Sequence, residues 1–273
     1  MNNPDPADPR MRAAAAALGS ARSIVVLTGA GASAESGVPT FRDAMTGLWA
    51  KYDPHELATP EAFARDPALV TRWYDWRRQM VLGCKPNAGH FALAALQRRA
   101  EAEQRSFTLL TQNVDRLHQR AGSTGVVELH GTILEWRCTR TGERITPPPE
   151  PMTEFPPKSA AGGLLRPCVV WFGEALPAEA IDAAQRAIAA CDLFISIGTS
   201  AVVYPAAGFI DEARSRGAVT IEINRDPTPA TGVVDIALTG LSGRILPALA
   251  AMLGIAVPEV QNDNPPRQAD RPT

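Results

Sequence analysis

The chain has few cysteines, no long apolar run and almost no excess of either charge. Its four cysteines, Cys84, Cys138, Cys168 and Cys191, are widely scattered, which excludes the disulfide framework of a small secreted domain. Free thiols in a reducing compartment follow, and the expected location is cytoplasmic. No apolar stretch approaches the ~20 residues of a membrane span, so no membrane association is expected. The opening MNNPDPADPR lacks a basic segment followed by an apolar core, so no secretory signal is expected either. With 27 basic and 29 acidic residues the net charge is -2, which makes no electrostatic case for nucleic acid or an anionic surface.

What is present is the composition of an ordinary soluble globular protein, 45% hydrophobic and 21% charged. Its 273 residues suit one large domain, or one domain with a smaller second. The polar, Pro-rich ends, 1–10 and 257–273, are expected to be disordered. Between them, RMRAAAAALGSA is a helix former that stops at Gly19. Four short apolar runs then end in glycine or polar residues: SIVVLTGAG (23–31), SFTLLTQN (106–113), DLFISIGTS (192–200) and AVTIEIN (218–224). Helical stretches lie between them at 88–104, 177–191 and 205–217. This alternation predicts an α/β fold, a parallel sheet covered by helices on both faces, with ligands at the carboxyl ends of the strands.

Two regions break the alternation. Residues 45–87 form a helical, aromatic-rich insertion, and 136–167 contain TPPPEPMTEFPPKSAAGG, with little regular structure expected. Both are assigned to a smaller accessory domain, leaving 11–44, 88–135 and 168–256 to the sheet domain.

The stretch VVLTGAGASAESGVPTFRD (25–43) carries the first chemical signal. Gly29 and Gly31 let backbone N–H groups approach a pyrophosphate, and Ala34 allows close packing of a helix beginning there. A purely structural strand-to-helix turn would use similar residues. No acidic residue ends a second strand about 20 residues later, as a nicotinamide dehydrogenase would require. In TQNVDRLHQRAG, Gln112, Asn113 and Asp115 follow a strand, with His118 a turn beyond, and VVELHG ends in His130. A histidine at the ligand edge of the sheet suits proton transfer near neutral pH.

Together, GAGASAESGVPTFRD, TQNVDRLHQRAG, ELHG, VVWFGE and GTSAVVYPAA resemble, in order and spacing over about residues 20 to 250, the sirtuin family of NAD-dependent protein lysine deacylases. The resemblance implies a Rossmann-like fold and a cofactor, NAD, that is consumed rather than reduced. The acyl-lysine oxygen would attack the nicotinamide ribose, nicotinamide would leave, and the resulting imidate would be resolved to lysine and O-acyl-ADP-ribose. His130 would be the general base, with Asn113 orienting ribose and water and Asp115 holding the nicotinamide carboxamide. Phe41 and Arg42 would guard the ribose. Gly29, Ala30, Gly31, Gly198, Thr199 and Ser200 would line the phosphates and Asn224 the adenosine ribose. Ala34, Gln112 and Ser242 complete the implied cofactor set. Val169–Glu174 looks like a strand that pairs with the acylated substrate peptide, through Val170, Trp171, Phe172 and Gly173.

Within RWYDWRRQM, Tyr74 and Arg77 share a helix face. Their spacing is similar to the pair marking sirtuins that remove succinyl, malonyl and glutaryl groups, and guanidinium plus phenol makes a natural carboxylate clamp. The alternative is a solvated basic face with aromatic anchors. Most sirtuins hold a structural zinc on two Cys-x-x-Cys pairs. Here Cys138 faces Thr141 where a partner belongs, and the second pair reads Lys158-Ser159-Ala160-Ala161, so no zinc is expected. Free Cys138 and Cys168 are then packing residues, and the Pro-rich stretch 147–157 is the candidate substitute for the metal. ADP-ribosyl transfer to protein, or NAD binding without turnover, are the competing readings.

Overall fold

Helix α1 (Pro9–Ser20) shows how local sequence sets the architecture. The Asp8 carboxylate caps it by accepting from the Arg10 N–H at 2.8 Å, and Pro9 takes the first turn, where no N–H is needed. Met11, Ala14, Ala15 and Leu18, on one helical stripe, are its buried residues. The helix therefore includes Pro9 and Arg10, which the sequence assigned to a disordered end, and passes through Gly19. Arg105 satisfies carbonyls at the helix's carboxyl end, donating to those of Leu18 and Ala21 at 2.8 and 3.0 Å.

The structure is a computed structural model that describes residues 4–39 and 57–259. In chain order follow β1 (Ser23–Thr28), α2 (Ala30–Ala34), α3 (Pro60–Arg65), α4 (Pro67–Gly83), α5 (Ala88–Ala102), β2 (Ser106–Thr111), α6 (Leu117–Arg120), β3 (Val127–Glu128), β4 (Gly131–Cys138), β5 (Arg144–Ile145), β6 (Leu165–Val169), α7 (Ala178–Ala190), β7 (Leu193–Ile197), α8 (Phe209–Ser215), β8 (Val219–Asn224), β9 (Ile236–Thr239) and α9 (Ser242–Met252). The four strands expected from sequence are β1, β2, β7 and β8.

A six-stranded parallel sheet in the order β3-β2-β1-β7-β8-β9 forms the larger layer. Strand alternation sends Ile24 and Val26 to one face, where they pack with Leu18, Leu93, Ile195 and Leu249. Val25 and Leu27 point to the other, against Phe194, Ile188 and Phe209. Burial on both faces is what a parallel sheet demands.

The accessory layer is a three-stranded antiparallel sheet, β5-β4-β6, packed on α3 and α4 through Trp73, Tyr74, Val81, Ile133, Trp136 and Trp171. Residues 136–167, expected to be largely irregular, thus contain the end of β4, β5 and most of β6. A two-residue β5 and a proline inside β6, Pro167, are poor strand signals. The small sheet also begins before residue 136. A Cβ on Gly131 (φ +71°) would lie 2.0 Å from the Cys168 carbonyl oxygen, so only glycine lets β4 start against β6 directly after His130.

The strand expected over Val169–Glu174 does not form beyond Val169: β6 ends there and the chain turns at Phe172-Gly173. The Trp171 N–H donates to the Glu174 carboxylate at 2.9 Å and the Glu174 N–H to the Trp171 carbonyl at 3.0 Å, closing the chain on itself.

The Pro-rich segment is gripped from α4. Buried Arg78 pairs with buried Asp75 at 2.7 Å and donates to the Pro148 and Glu150 carbonyls at 2.7 and 2.8 Å, while Asp75 accepts from the Met152 N–H at 2.9 Å. Replacing Arg78 by Met leaves a buried carboxylate unpaired and two carbonyls without donors. It should cost about 3–5 kcal/mol in a urea titration; a loss under about 1 kcal/mol would show that the clamp carries little.

Candidate active site

Chain order runs outward in both directions from the β1/β7 pair, which makes the carboxyl ends of these two strands the topological switch point. Two glycine turns meet there. The Gly29 N–H donates to the Ile197 carbonyl at 2.9 Å, and the Gly31 N–H to the Gly198 carbonyl at 2.8 Å. A Cβ on Gly31 would sit 2.8 Å from Gly198 backbone, and one on Gly198 2.4 Å from the Ala32 nitrogen. Glycine is required by this contact between turns, whatever else approaches. Helix α2 starts at Ala30 and ends at Ala34, so Ala34 closes the helix rather than opening it.

Behind the crevice lies a buried polar network. Asn113 donates through Nδ2 to the Gly29 carbonyl and the Ser33 hydroxyl, both at 3.0 Å. Ser33 Oγ also lies 3.4 Å from His90 Nε2. Asp115 accepts from the Leu117 N–H at 2.9 Å, and burial pushes its carboxyl above the usual range. Thr28 Oγ1 lies 2.8 Å from Thr111 Oγ1 and 2.9 Å from His118 Nε2. Ser33, at the centre, was not singled out from sequence. The available signal was its place four residues after Gly29, one helical turn along, which brings it beside the Gly29 carbonyl.

His130 follows β3 and stands half-buried at the crevice edge. Its Nδ1 is 3.0 Å from the Gln112 carbonyl oxygen. A carbonyl only accepts, so Nδ1 carries the proton and Nε2 keeps its lone pair in the neutral ring. Burial lowers the pKa, against the opposing Gln112 bond, so the neutral form dominates at pH 7. The Gln112 backbone ties this edge on its other side too: its N–H donates to the Thr28 carbonyl at 2.9 Å.

Asn224 Nδ2 donates to the Thr199 carbonyl at 2.7 Å, tying the ends of β8 and β7 together beside Ser200. Ser242 lies farther along the chain at the start of α9, where it and the Gly243 N–H bond Glu35 at 3.3 and 2.8 Å. Tyr74 is fully buried, with Arg77 5.9 Å from its ring and Trp171 6.2 Å away, so three of the six expected substrate residues lie together. The Val170 N–H donates to the His130 carbonyl at 3.0 Å and the Phe172 N–H to the Ala58 carbonyl at 2.9 Å. Phe172, Val202, Val203 and Tyr204 are exposed apolar side chains. Phe41 and Arg42 lie outside the described residues.

The Sir2 family model matches residues 29–205. The chain belongs to the Sir2 family. An NAD-dependent protein deacylase 2 of Pyrobaculum aerophilum is 51% identical over 233 residues, 85% of this chain and 91% of that relative. The crystal structure of a Sir2 homolog–NAD complex superimposes with a TM-score of 0.82 at 43% identity, covering 89% of this chain and 93% of the other. A Sir2 bound to acetylated peptide gives 0.79 at 30% identity, covering 90% and 99%.

Against the zinc expected of most Sir2 proteins, the side chains around Cys138 do not fit the ion. Its sulfur accepts from the Ser159 hydroxyl at 3.1 Å, and a Cβ on Gly163 would lie 2.5 Å from that sulfur. One thiol among hydroxyls is not a tetrahedral donor set. Among the described residues, no three His, Cys, Asp or Glu side chains gather to hold a metal, and no helix is long and apolar enough to cross a membrane.

His118 and His90 face each other at 4.7 Å between ring centroids, both buried. Burial takes His118 down to about 4 from 6.5, and His90 well below 6.5 with the His118 charge adding. Unfolded histidines take up protons at about 6.5 and the folded ones do not, so stability is complete above that pH and is lost as pH falls toward 4. Asp115 works the other way, as one group against two. Stability should fall steadily between pH 6.5 and 4, by about 3 kcal/mol for His118 alone, read as a falling melting temperature, and His118→Gln should flatten the slope. A wild-type profile flat across that window would contradict the account.

Proposed function

We propose that this chain is an NAD-dependent protein-lysine deacylase that prefers negatively charged acyl groups, succinyl and malonyl, and also removes acetyl. The observation that carries the reading is His130. A neutral imidazole, locked by the Gln112 carbonyl with Nε2 as its basic atom, stands at the carboxyl edge of the sheet, where Gln112 is followed in the chain by Asn113. The crevice fits a dinucleotide: two glycine turns and the start of α2 bring backbone close to where a pyrophosphate would lie, and the lining side chains Asn113, Thr199, Ser200 and Asn224 are neutral. NAD, when bound, supplies a nicotinamide leaving group and the ribose carbon that receives the acyl oxygen.

His130 Nε2 takes the proton of a ribose hydroxyl. Asn113, pinned by Gly29 and Ser33, presents one fixed orientation to the ribose and a water, and Asp115 holds the carboxamide end. Positioning of this kind is the main lever for a reaction whose leaving group is neutral. On the substrate side, the Val170 and Phe172 N–H groups are already engaged within the chain. Pairing with an acyl-lysine peptide would therefore use the carbonyls of this segment, with Phe172, Val202, Val203 and Tyr204 covering the peptide.

Acyl preference rests on Tyr74 and Arg77. Burial raises the Tyr74 phenol to about 12, so it remains an O–H donor at any working pH. The Arg77 guanidinium lies 4.9 Å from the Trp73 ring centroid and 5.9 Å from that of Tyr74, a partly desolvated cation suited to a carboxylate. The accessory layer is read as metal-free, with Asp75 and Arg78 holding what a zinc knot would hold. Four free, buried thiols suit a reducing compartment such as the cytoplasm.

One lysine peptide offered in succinyl and acetyl form should show the higher kcat/KM for succinyl. Arg77→Met should reduce succinyl turnover roughly 10- to 100-fold, the worth of a hydrogen bond to a charged group, and leave acetyl turnover within about threefold. Acetyl preference would overturn the clamp, and no turnover of either would overturn the deacylase reading. EDTA should leave the melting temperature unchanged; a drop would restore a structural metal.

A further inference from the structure

A second cleft, of about 290 Å³, opens beside the small sheet and is lined by Glu128, Thr132, Arg137, Arg144, Val170 and Glu174 among others. An unusual row, two of whose members line the cleft, runs across the small sheet. Arg137 of β4 lies directly opposite Arg144 of β5 and directly opposite Arg166 of β6. Three guanidinium side chains thus stand abreast on one face of three adjacent strands, an arrangement that costs stability unless anions intervene.

The carboxylates nearby neutralise the row unevenly. Glu174 is held by Arg166 at 2.6 and 2.9 Å and by the Trp171 N–H, leaving Arg137 3.9 Å away. Glu128 is taken by Arg116 at 3.0 Å and Gln119 at 2.9 Å. Arg144 lies 3.6 Å from Glu135, which Arg116 approaches at 2.7 Å. The two glutamates of the cleft are spoken for inside the protein, while its two arginines, with side chains 41% and 67% exposed, have carboxylates only beyond hydrogen-bond distance.

We propose that this cleft binds a carboxylate- or phosphate-bearing group through Arg137 and Arg144. Two adjacent planar donors suit a bidentate oxyanion. The floor of the cleft links it to the crevice: Gly131 follows His130, and the Val170 N–H donates to the His130 carbonyl at 3.0 Å. The oxyanion can come from an acidic side chain of the acylated substrate, a source that rests on the deacylase reading, or from a free anion, which does not.

Two arms separate these sources. In the first, inorganic phosphate is titrated calorimetrically at constant ionic strength into the wild-type chain and into R137Q/R144Q. In the second, kcat/KM is compared for acyl-lysine peptides that differ only in Glu or Gln beside the lysine. Saturable phosphate binding that the double substitution weakens about fivefold or more identifies a free anion. A Glu preference of similar size, abolished in R137Q/R144Q and retained in R137K/R144K, identifies the substrate. If neither signal depends on the two arginines while the Gln peptide is still turned over, the proposal is overturned and the deacylase reading stands. If no peptide is turned over, that reading fails and the phosphate arm alone decides the cleft. Both arginines are exposed, so the variants should melt within a few degrees of wild type, and a melting curve checks this.

Discussion

The architecture depends on one contact, the meeting of the turn after β1 with the turn after β7. Backbone lies on backbone there, through Gly29, Gly31 and Gly198, at separations that no Cβ tolerates. This contact brings the two central strands of the sheet to a common edge at the point where strand order reverses. It also fixes α2, and with it Ser33, against Asn113. Any side chain at these glycines would separate the turns, and the crevice would lose its floor before a ligand was considered.

From that contact the rest is polar accounting. Ser33, Asn113, Asp115, Thr28 and His118 are buried, and their polar atoms find partners, His118 Nδ1 being the exception among these five residues. The network holds the ligand edge rigid and stops short of His130, which is fixed separately by the Gln112 carbonyl. A locked scaffold with one basic nitrogen left over is what proton transfer at a fixed position requires. The accessory layer is built by a different device, a buried Asp75–Arg78 pair that gathers backbone groups of a proline-rich segment. A fully bonded buried pair of this sort organises structure more than it adds net stability.

Much of this was legible in the residues because the signals were local. SIVVLT, SFTLLT, LFISI and VTIEIN are short apolar runs that stop at glycine or polar residues, and the four central strands follow them. The glycines, Asn113, Asp115 and His130 lie at the ends of such runs. What escaped depends on contacts between distant parts of the chain. Strand β6 carries Pro167, β5 is only two residues long, and α9 contains Pro247, so local preference argued against each. The turn at Phe172-Gly173 replaces an expected strand because Glu174 folds back on the Trp171 N–H, a bond that no periodicity encodes. Ser33 reads as one small residue among several, and only the folded chain shows it joined to Asn113.

In the proposed reaction His130 resolves an acyl group carried from lysine to ribose. The most direct measurement is mass analysis of the products formed from NAD and an acyl-lysine peptide by the wild-type chain and by His130→Ala. The account predicts nicotinamide, free lysine peptide and O-acyl-ADP-ribose in equal amounts, with the last reduced roughly 10²- to 10⁴-fold in the variant. ADP-ribose found attached to protein in place of O-acyl-ADP-ribose, or undiminished product from His130→Ala, would contradict it.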